Sequence, residues 1–297
     1  MEVLRLSTKR RPRSKGRVLR GPIPSSDSLI ARIDGEKANL GDLYSGGVFL
    51  LCGGPSVNSL DLGLLDNAGI MTFAFNNTWT LHKPNFWTAG DHASRFLGGR
   101  LMDPTITKFV RRSRLNNKIR VKTGPSEFED QKVRAKDLSN TFVYEVGESL
   151  DSVEDFFTPS RAQWGFAKHS KWRGKHRSTF RNTMTIALRL CVHLGFKRIY
   201  LLGCDFKMTE DYTYAWGQER TKNAVRNNTR LFKVLSEFYA DLRPLLEENG
   251  VGVYNCNPDS ELEAFPFKDF GEAIDMETTP QDFDGKGWYE RKAPPDK

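Results

Sequence analysis

The chain has 297 residues, of which 38% are hydrophobic and 28% charged, and its formal net charge is +8. A chain of this length can bury one sizeable core, with or without an appended lobe. Its apolar runs fall well short of the roughly 18 residues that a membrane-spanning helix needs, and the charged amino terminus is not followed by the apolar segment of a secretory signal. We therefore expect a polar globular protein located in the cytoplasm.

Four cysteines, Cys52, Cys191, Cys204 and Cys256, are far apart in the sequence and lie within or beside apolar segments. They form no CxxC pair and no cluster with histidines, so the sequence indicates no zinc site. Buried free thiols in a reducing compartment explain them most simply.

Residues 1–24 are predicted to form a flexible basic arm. Eight of the first 20 residues are Lys or Arg, and Pro12 and Gly16 interrupt any helix there. Such an arm attracts phosphate backbones and other anionic surfaces. A solvated tail that only aids solubility fits the same composition equally well.

The first strand prediction is the apolar run at the start of Val48–Ser56, which breaks into Gly53, Gly54, Pro55 and Ser56. The run is typical of a strand buried on both faces, and the break of a tight turn at its carboxyl end, where open parallel sheets bind ligands. Glycine amides and a serine hydroxyl suit an anion such as phosphate. A plain turn explains the residues as well, since neither GxGxxG nor GxxxxGK[ST] occurs.

Two further strands of the same design follow, each ending in polar residues. Asn76 and Asn77 follow the first of them, and Asp91 and His92 follow the second. The predicted strands cover 70–75 and 85–89, a helix-like segment covers 59–65, a basic-faced helix covers 104–114, and weaker strands cover 118–122 and 141–146.

Residues 158–178 are predicted to form a long basic loop or lid. The cations alternate with Trp164, Phe166 and Trp172, a mixture that suits phosphates and flat bases. A solvated loop held to the domain by its aromatic side chains is the alternative. The side chains that we expect to contact the acceptor or a phosphate are Lys168, His169, Lys171, Arg173 and Arg177.

The second half alternates helices and strands, which indicates a doubly wound, mostly parallel α/β sheet of Rossmann-like type. The loop after Phe206, which carries Glu210 and Asp211, is predicted to be solvated. The elements are a helix over 183–194, a strand over 198–202, a helix over 221–249 kinked or broken at Pro244, and a strand over 251–254. We expect one domain over 25–267 and an extended tail over 268–297.

Three predicted strand-end turns, with the sequences GGPS, GCDF and NPDS, occur in this order over about Val48–Phe265. The combination resembles the Rossmann-like family of the bacterial sialyltransferases and MptE-like proteins, with a phage-encoded member of that family as one interpretation of this chain. In that family the first turn is of GNGPSL type, LG-(Y/A)-K-x-I-x-L-x-G-x-D-F follows a helix, and a CPNS-type turn comes later. The corresponding central residues here are Leu194–Phe206.

The resemblance implies a donor site for a nucleotide. It assigns the first turn and the asparagines after the second strand to the phosphate and ribose, and the start of the 183–194 helix to the donor. The implied donor-binding residues are Gly53, Gly54, Pro55, Ser56, Asn76, Asn77, Arg181, Asn182, Thr183, Asn257 and Ser260. Ordinary N-capping explains Asn182 and Thr183 without any ligand.

The sialyltransferases carry a general-base histidine before the last long helix, and Glu219–Asn228 contains none. His92 is then the first candidate base, with Asp91 to orient it or to act itself, and Asp205 is the second. No DxD motif follows Asp205, so the sequence favours a reaction without a metal. Asp205 also fits a role in bonding the amides of its own turn.

The sequence therefore predicts a transferase that uses a nucleotide-sugar donor, with no tightly bound cofactor. The basic arm and loop favour an anionic acceptor such as a modified base in phage DNA, in the host cytoplasm. Three alternatives stay open: transfer to a surface glycan, MptE-like pyrophosphoryl transfer to a pterin, and nucleic-acid binding without catalysis.

Overall fold

A computed structural model describes residues 30–32, 38, 40–91, 96, 99–124, 127–144, 153–157, 182–217 and 221–279. The predicted basic arm and basic loop lie outside the described residues. The strands are β1 (Ile30–Arg32), β2 (Gly47–Leu51), β3 (Thr72–Phe75), β4 (Phe86–Ala89), β5 (Thr107–Arg111), β6 (Lys118–Lys122), β7 (Phe128–Arg134), β8 (Thr141–Tyr144), β9 (Arg198–Leu202) and β10 (Gly252–Asn255). The α-helices are α1 (Thr183–His193), α2 (Lys222–Glu248) and α3 (Phe270–Glu277).

Eight strands form one sheet in the order β1-β8-β5-β4-β3-β2-β9-β10. Every neighbouring pair is parallel except β1 and β8 at one edge. The strands β6 and β7 form a separate antiparallel ribbon. The predicted α/β class with a mostly parallel sheet is confirmed.

Helices cover both faces of the sheet, and the side chains of β2 alternate between the two hydrophobic cores that result. Val48 and Leu50 face α1 and α2, whereas Phe49 and Leu51 face the side of α3. On that second side the rings of Phe49 and Phe270 meet edge to face, with centroids 6.0 Å apart. Burial of all four strand residues explains why the run contains no polar positions.

The sheet has a topological switch point beside β2. The chain proceeds from β2 through β3 and β4 to β5 on one side, and later returns to place β9 and β10 on the other. Connections that leave in opposite directions open a crevice at the carboxyl ends of the two central strands. Fold topology therefore directs attention to the residues that follow β2 and β9.

The helix predicted over Pro104–Arg114 is wrong, because this segment contains β5. The Lys108 side chain that suggested a basic helix face is fully buried. Its ammonium group donates to the carbonyls of Asp103 at 2.7 Å, Ile106 at 2.8 Å and Ser139 at 3.1 Å. Burial lowers the pKa of Lys108 to about 8. The three carbonyls accept the hydrogen bonds that the ammonium group would otherwise donate to water.

The helix α2 continues through Pro244, so the break that was one of the two predicted alternatives does not occur there. The helix-like segment predicted over 59–65 consists of short 3-10 turns. Among the described residues, no helix combines the length and the apolar character that crossing a membrane requires.

The segment predicted as an extended tail contains α3, which closes the amino ends of β2 and β9. Glu277 accepts hydrogen bonds from the Gly47 amide at 2.8 Å, the Tyr200 hydroxyl at 2.9 Å and the Arg198 guanidinium. Burial alone would raise the pKa of Glu277, but the bonds from Arg198, Tyr200 and Gly47 lower it. The helix is thus part of the domain.

Replacing Glu277 with Ala is expected to lower the free energy of unfolding at pH 7 by about 1.5–3 kcal/mol, because charge-assisted bonds are lost and the Gly47 amide is left unpaired. The pKa of Glu277 is lowered on folding, so its contribution is present at neutral pH and disappears as the pH falls through the folded-state pKa. Urea unfolding at pH 7 and at pH 3 measures both effects. Glu272→Ala, which removes an exposed partner of Lys268 on the same helix, is the control, and equal losses in the two variants would contradict the role of Glu277.

Candidate functional site

A cavity of about 290 Å³ lies at the carboxyl ends of β2, β3 and β9, between the start of α1 and one side of α2. Its position is the switch point of the sheet. The structure brings seven of the sequence-predicted residues together around it. These are Gly53, Gly54, Asn76, Asn77, Asn182, Thr183 and Asp205.

Asp205 links the three strand-end turns from beneath the cavity. Its carboxylate accepts bonds from the Ser56 amide at 3.1 Å and from the Ser56 hydroxyl. The Tyr212 hydroxyl donates at 2.6 Å and the Asn257 side-chain amide at 2.9 Å. Asp205 is only 2% exposed, so these four donors supply the polar environment that a buried carboxylate requires. This geometry makes Asp205 a clamp between the turns.

The glycine turn owes its sequence to this clamp. A Cβ atom on Gly54 would lie 2.5 Å from the Asp205 carboxyl carbon and 2.6 Å from the Gly203 carbonyl oxygen. The Gly54 amide donates to that carbonyl at 2.8 Å, and both donors of Ser56 bind Asp205. The Gly54 and Ser56 donors are therefore engaged within the protein, and Pro55 has no amide hydrogen to offer.

The residues of the third turn support the second turn and do not line the cavity. Asn257 is 8% exposed and binds Asp205, and the Ser260 hydroxyl donates to the Cys204 carbonyl at 2.6 Å. Neither residue is among those that line the cavity, and their contact with the donor stays a prediction. Their hydrogen bonds explain the polar NPDS sequence in structural terms.

Asn76 lines the cavity and carries a buried acceptor without a partner among the described residues. Its backbone has a φ of 53°. Its amide donates a hydrogen bond to the Thr88 carbonyl at 3.1 Å, and its carbonyl accepts one from the Trp87 indole at 2.9 Å. Its Oδ1 is buried and has no hydrogen-bond partner in the described part of the chain. A buried oxygen without a partner calls for an explanation, and a donor group of a ligand bound there would provide one.

The start of α1 also borders the cavity. The Asn182 side chain caps the helix by accepting a bond from the Met184 amide at 2.7 Å, which confirms the structural alternative for this residue. Capping leaves the Asn182 NH₂ group as a donor. The helix start carries the partial positive charge of the macrodipole, which favours an anion.

Lys207 is a cationic residue that lines the cavity, and the sequence analysis missed it. Its ammonium group donates to the Asp259 carbonyl at 3.2 Å and lies 5.4 Å from the centre of the Tyr212 ring. Phe206, directly before it, has a φ of 54°, an uncommon conformation for a bulky residue. This strained turn after β9 places Lys207 among the lining residues. A lysine directly after the GCDF motif was the available signal.

An aromatic wall, defined as Tyr214 and Trp216, forms one side of the cavity. Their rings stack with centroids 4.8 Å apart and planes 3° apart. A Cβ atom on Gly53 would lie 3.0 Å from Trp216 and 3.1 Å from Tyr214. The backbone between the rings is fixed by Ala215, whose amide donates to Gly53 at 2.9 Å and whose carbonyl accepts from Asn58 at 3.0 Å. Glu210 and Asp211, earlier in the same loop, are exposed, as predicted.

Asp91, the described member of the predicted catalytic pair, is not among the residues that line this cavity. Asp91 follows β4 and borders a separate, much smaller cavity with Arg114. His92, Arg181 and the basic-loop cations Lys168, His169, Lys171, Arg173 and Arg177 lie outside the described residues.

The four cysteines are free and buried, as the sequence predicted. Burial raises the pKa of Cys191 and Cys204, and that of Cys256 to about 12, so these thiols stay protonated. Within the described ranges, no group of three or more His, Cys, Asp or Glu side chains is arranged to hold a metal ion.

No protein-family model matches the chain, and no curated protein matches it. A solved structure similar to it is the sialyltransferase CstII from Campylobacter jejuni in complex with a substrate analogue, cytidine-5'-monophosphate. The similarity covers 75% of this chain and 84% of that chain at 16% identity, with a TM-score of 0.36. Similarity at this level provides no evidence about the reaction, which has to be inferred from the cavity itself.

Replacing Gly54 with Ala is expected to lower the free energy of unfolding by about 1–3 kcal/mol, since the new methyl group overpacks the Asp205 carboxylate. Thermal or urea unfolding measures the change. Gly99→Ala is the matched control, because a Cβ atom there has no neighbour within 4 Å. A Gly54 variant as stable as the Gly99 variant would show that the clamp tolerates displacement of Asp205.

Proposed function

We propose that the chain is a transferase that binds a nucleotide-activated donor in the cavity, and that it transfers a glycosyl group. The observation that carries the proposal is the convergence, at the switch point, of the Lys207 charge, the start of α1 and the unpaired Asn76 oxygen. These are a cation, a positive helix end and an acceptor for a hydroxyl, which together suit a phosphorylated sugar.

The phosphate is assigned to Lys207 and to the start of α1 at Asn182 and Thr183. This differs from the sequence-based assignment to the glycine turn, because the Gly54 and Ser56 donors are already bound. The unpaired oxygen of Asn76 is assigned to a hydroxyl of the ribose, and Asn77 lies beside it. The glycine turn contributes indirectly, because Gly54 leaves the space in which the Asp205 carboxylate binds Ser56.

In the proposed reaction the acceptor oxygen attacks the anomeric carbon of the transferred sugar, and the bond from that carbon to the phosphate oxygen breaks. The phosphate leaves with the electron pair, and Lys207 with the helix end stabilises its charge. The acceptor proton passes to a general base, for which Asp91 and His92 remain the candidates. Asp91 follows a strand two positions from β2, about 10 Å away at normal strand spacing.

The charge of Lys207 and the helix end lets us propose that transfer proceeds without a metal. Turnover that survives EDTA would support this, whereas an absolute need for magnesium would favour the pterin pyrophosphokinase alternative. An anionic acceptor, whether a modified base in phage DNA or a surface glycan, rests on the composition of the basic arm and loop and stays a proposal of the sequence. Nucleic-acid binding without catalysis is the remaining alternative.

Screening nucleotides and nucleotide sugars by thermal shift, with and without magnesium, tests the donor site. We expect one nucleotide class to raise the unfolding temperature in a concentration-dependent manner, because a ligand that binds only the folded state stabilises it by mass action. Isothermal titration then gives its Kd. If no nucleotide or nucleotide sugar binds at millimolar concentration, the proposed function is wrong.

Replacing Lys207 with Met is expected to weaken binding of the nucleotide identified in that screen by about 10- to 100-fold, which corresponds to loss of one charge-assisted bond. Binding of the corresponding nucleoside, which has no phosphate, should stay unchanged. Lys197→Met is the matched control, because Lys197 lies beside the opposite end of β9. Equal losses for nucleotide and nucleoside would remove Lys207 from the phosphate site.

A further inference from the structure

We propose that the aromatic wall of Tyr214 and Trp216 binds the ring of the transferred sugar, and not the nucleobase. This inference rests on the proposed function and specifies which part of the donor meets which side of the cavity. The two rings stack face to face, so an outer face of the stacked pair is the flat apolar surface that the wall offers among the lining residues. A pyranose presents a flat face of C–H groups that can pack on such a surface.

The wall is held in place by backbone contacts and by the clamp. Ala215 lies between the two aromatic residues in the sequence. Its amide donates to the Gly53 carbonyl, and its carbonyl accepts a hydrogen bond from Asn58 in the 3-10 turn that follows. Tyr212, two residues earlier, donates its hydroxyl to Asp205 at 2.6 Å. Burial, together with that bond, raises the pKa of Tyr212, so the phenol remains a donor at neutral pH. A platform fixed in this way loses little conformational entropy when a ring binds to it.

The position of the wall next to the glycine turn favours the sugar. Trp216 and Tyr214 approach Gly53 so closely that a side chain there would press against both rings. The Lys207 ammonium group lies 5.4 Å from the centre of the Tyr212 ring, and Tyr212 comes two residues before Tyr214, so the wall lies on the Lys207 side of the cavity. In a nucleotide sugar the transferred sugar is bonded directly to the phosphate, whereas the base is separated from it by the ribose.

A second aromatic contact is available for the base. The rings of Phe206 and Phe232 stack with centroids 5.0 Å apart, between the end of β9 and the side of α2. The thioethers of Met184 and Met208 lie among the neighbouring lining residues. Phe206 and Met208 are buried, which suits a flat base that is held through the reaction. The wall, whose two rings are partly exposed, suits the group that must meet an acceptor.

The wall is tested by titrating the Trp216→Leu variant with two ligand pairs, UDP against UDP-glucose and CMP against CMP-N-acetylneuraminic acid. For the pair that the wild type binds, we expect the variant to weaken the nucleotide sugar by about 10-fold more than the free nucleotide, because only the sugar loses its stacking surface. Trp216→Phe should restore most of the difference, since it keeps a flat ring.

Phe232→Leu is the matched variant at the other end, and it should weaken the nucleotide and the nucleotide sugar to the same extent. Unfolding temperatures of all variants show that each is folded at the temperature of titration. Equal weakening of both ligands by Trp216→Leu, or no weakening, would overturn the assignment of the wall. A wild type that binds neither pair would instead overturn these donors, which distinguishes the two failures.

Discussion

The site depends on one buried carboxylate. Asp205 accepts four hydrogen bonds, two from Ser56 and one each from Tyr212 and Asn257. These three residues belong to three different connections. Parallel strands bring their carboxyl ends to one edge of a sheet, but the turns beyond them have no hydrogen-bond ladder of their own. A carboxylate shared by three of these connections supplies that order. Removing it would leave donors unpaired in all three, the buried Asn257 among them, and would destabilise the turns around the cavity.

The glycine turn illustrates how a motif can have the right position and a different role. Glycines after a buried strand suggest amides that bind phosphate, yet Gly54 gives its amide to Gly203. The lack of a side chain at Gly54 makes room for Asp205, and at Gly53 for Trp216. Both glycines therefore shape the cavity by allowing Asp205 and Trp216 to approach the backbone. The positive charge proposed to bind phosphate comes from Lys207 and the start of α1.

Most of the sheet could be predicted because buried parallel strands are short apolar runs that end in turns. The run Arg198–Leu202 matches β9, and the meeting of Gly53, Asn76 and Asp205 follows from strand topology alone. Lys108 was misleading because a lysine whose donors bind three carbonyls has the same sequence signature as an exposed one. The aromatic wall could not be predicted, since Trp216 is fixed by contacts with residues more than 150 positions earlier, which no local pattern reveals.

The contact of Glu277 with Gly47 joins residues 230 positions apart. The central strand β2 is made early in synthesis, but the acceptor for its first amide is made near the end of the described chain. Contacts of such long range are slow to form, because a long loop must close before they contribute. During translation the amino ends of β2 and β9 therefore stay uncovered until α3 has left the ribosome. In that interval the exposed strands of the newly made chain can associate with other chains.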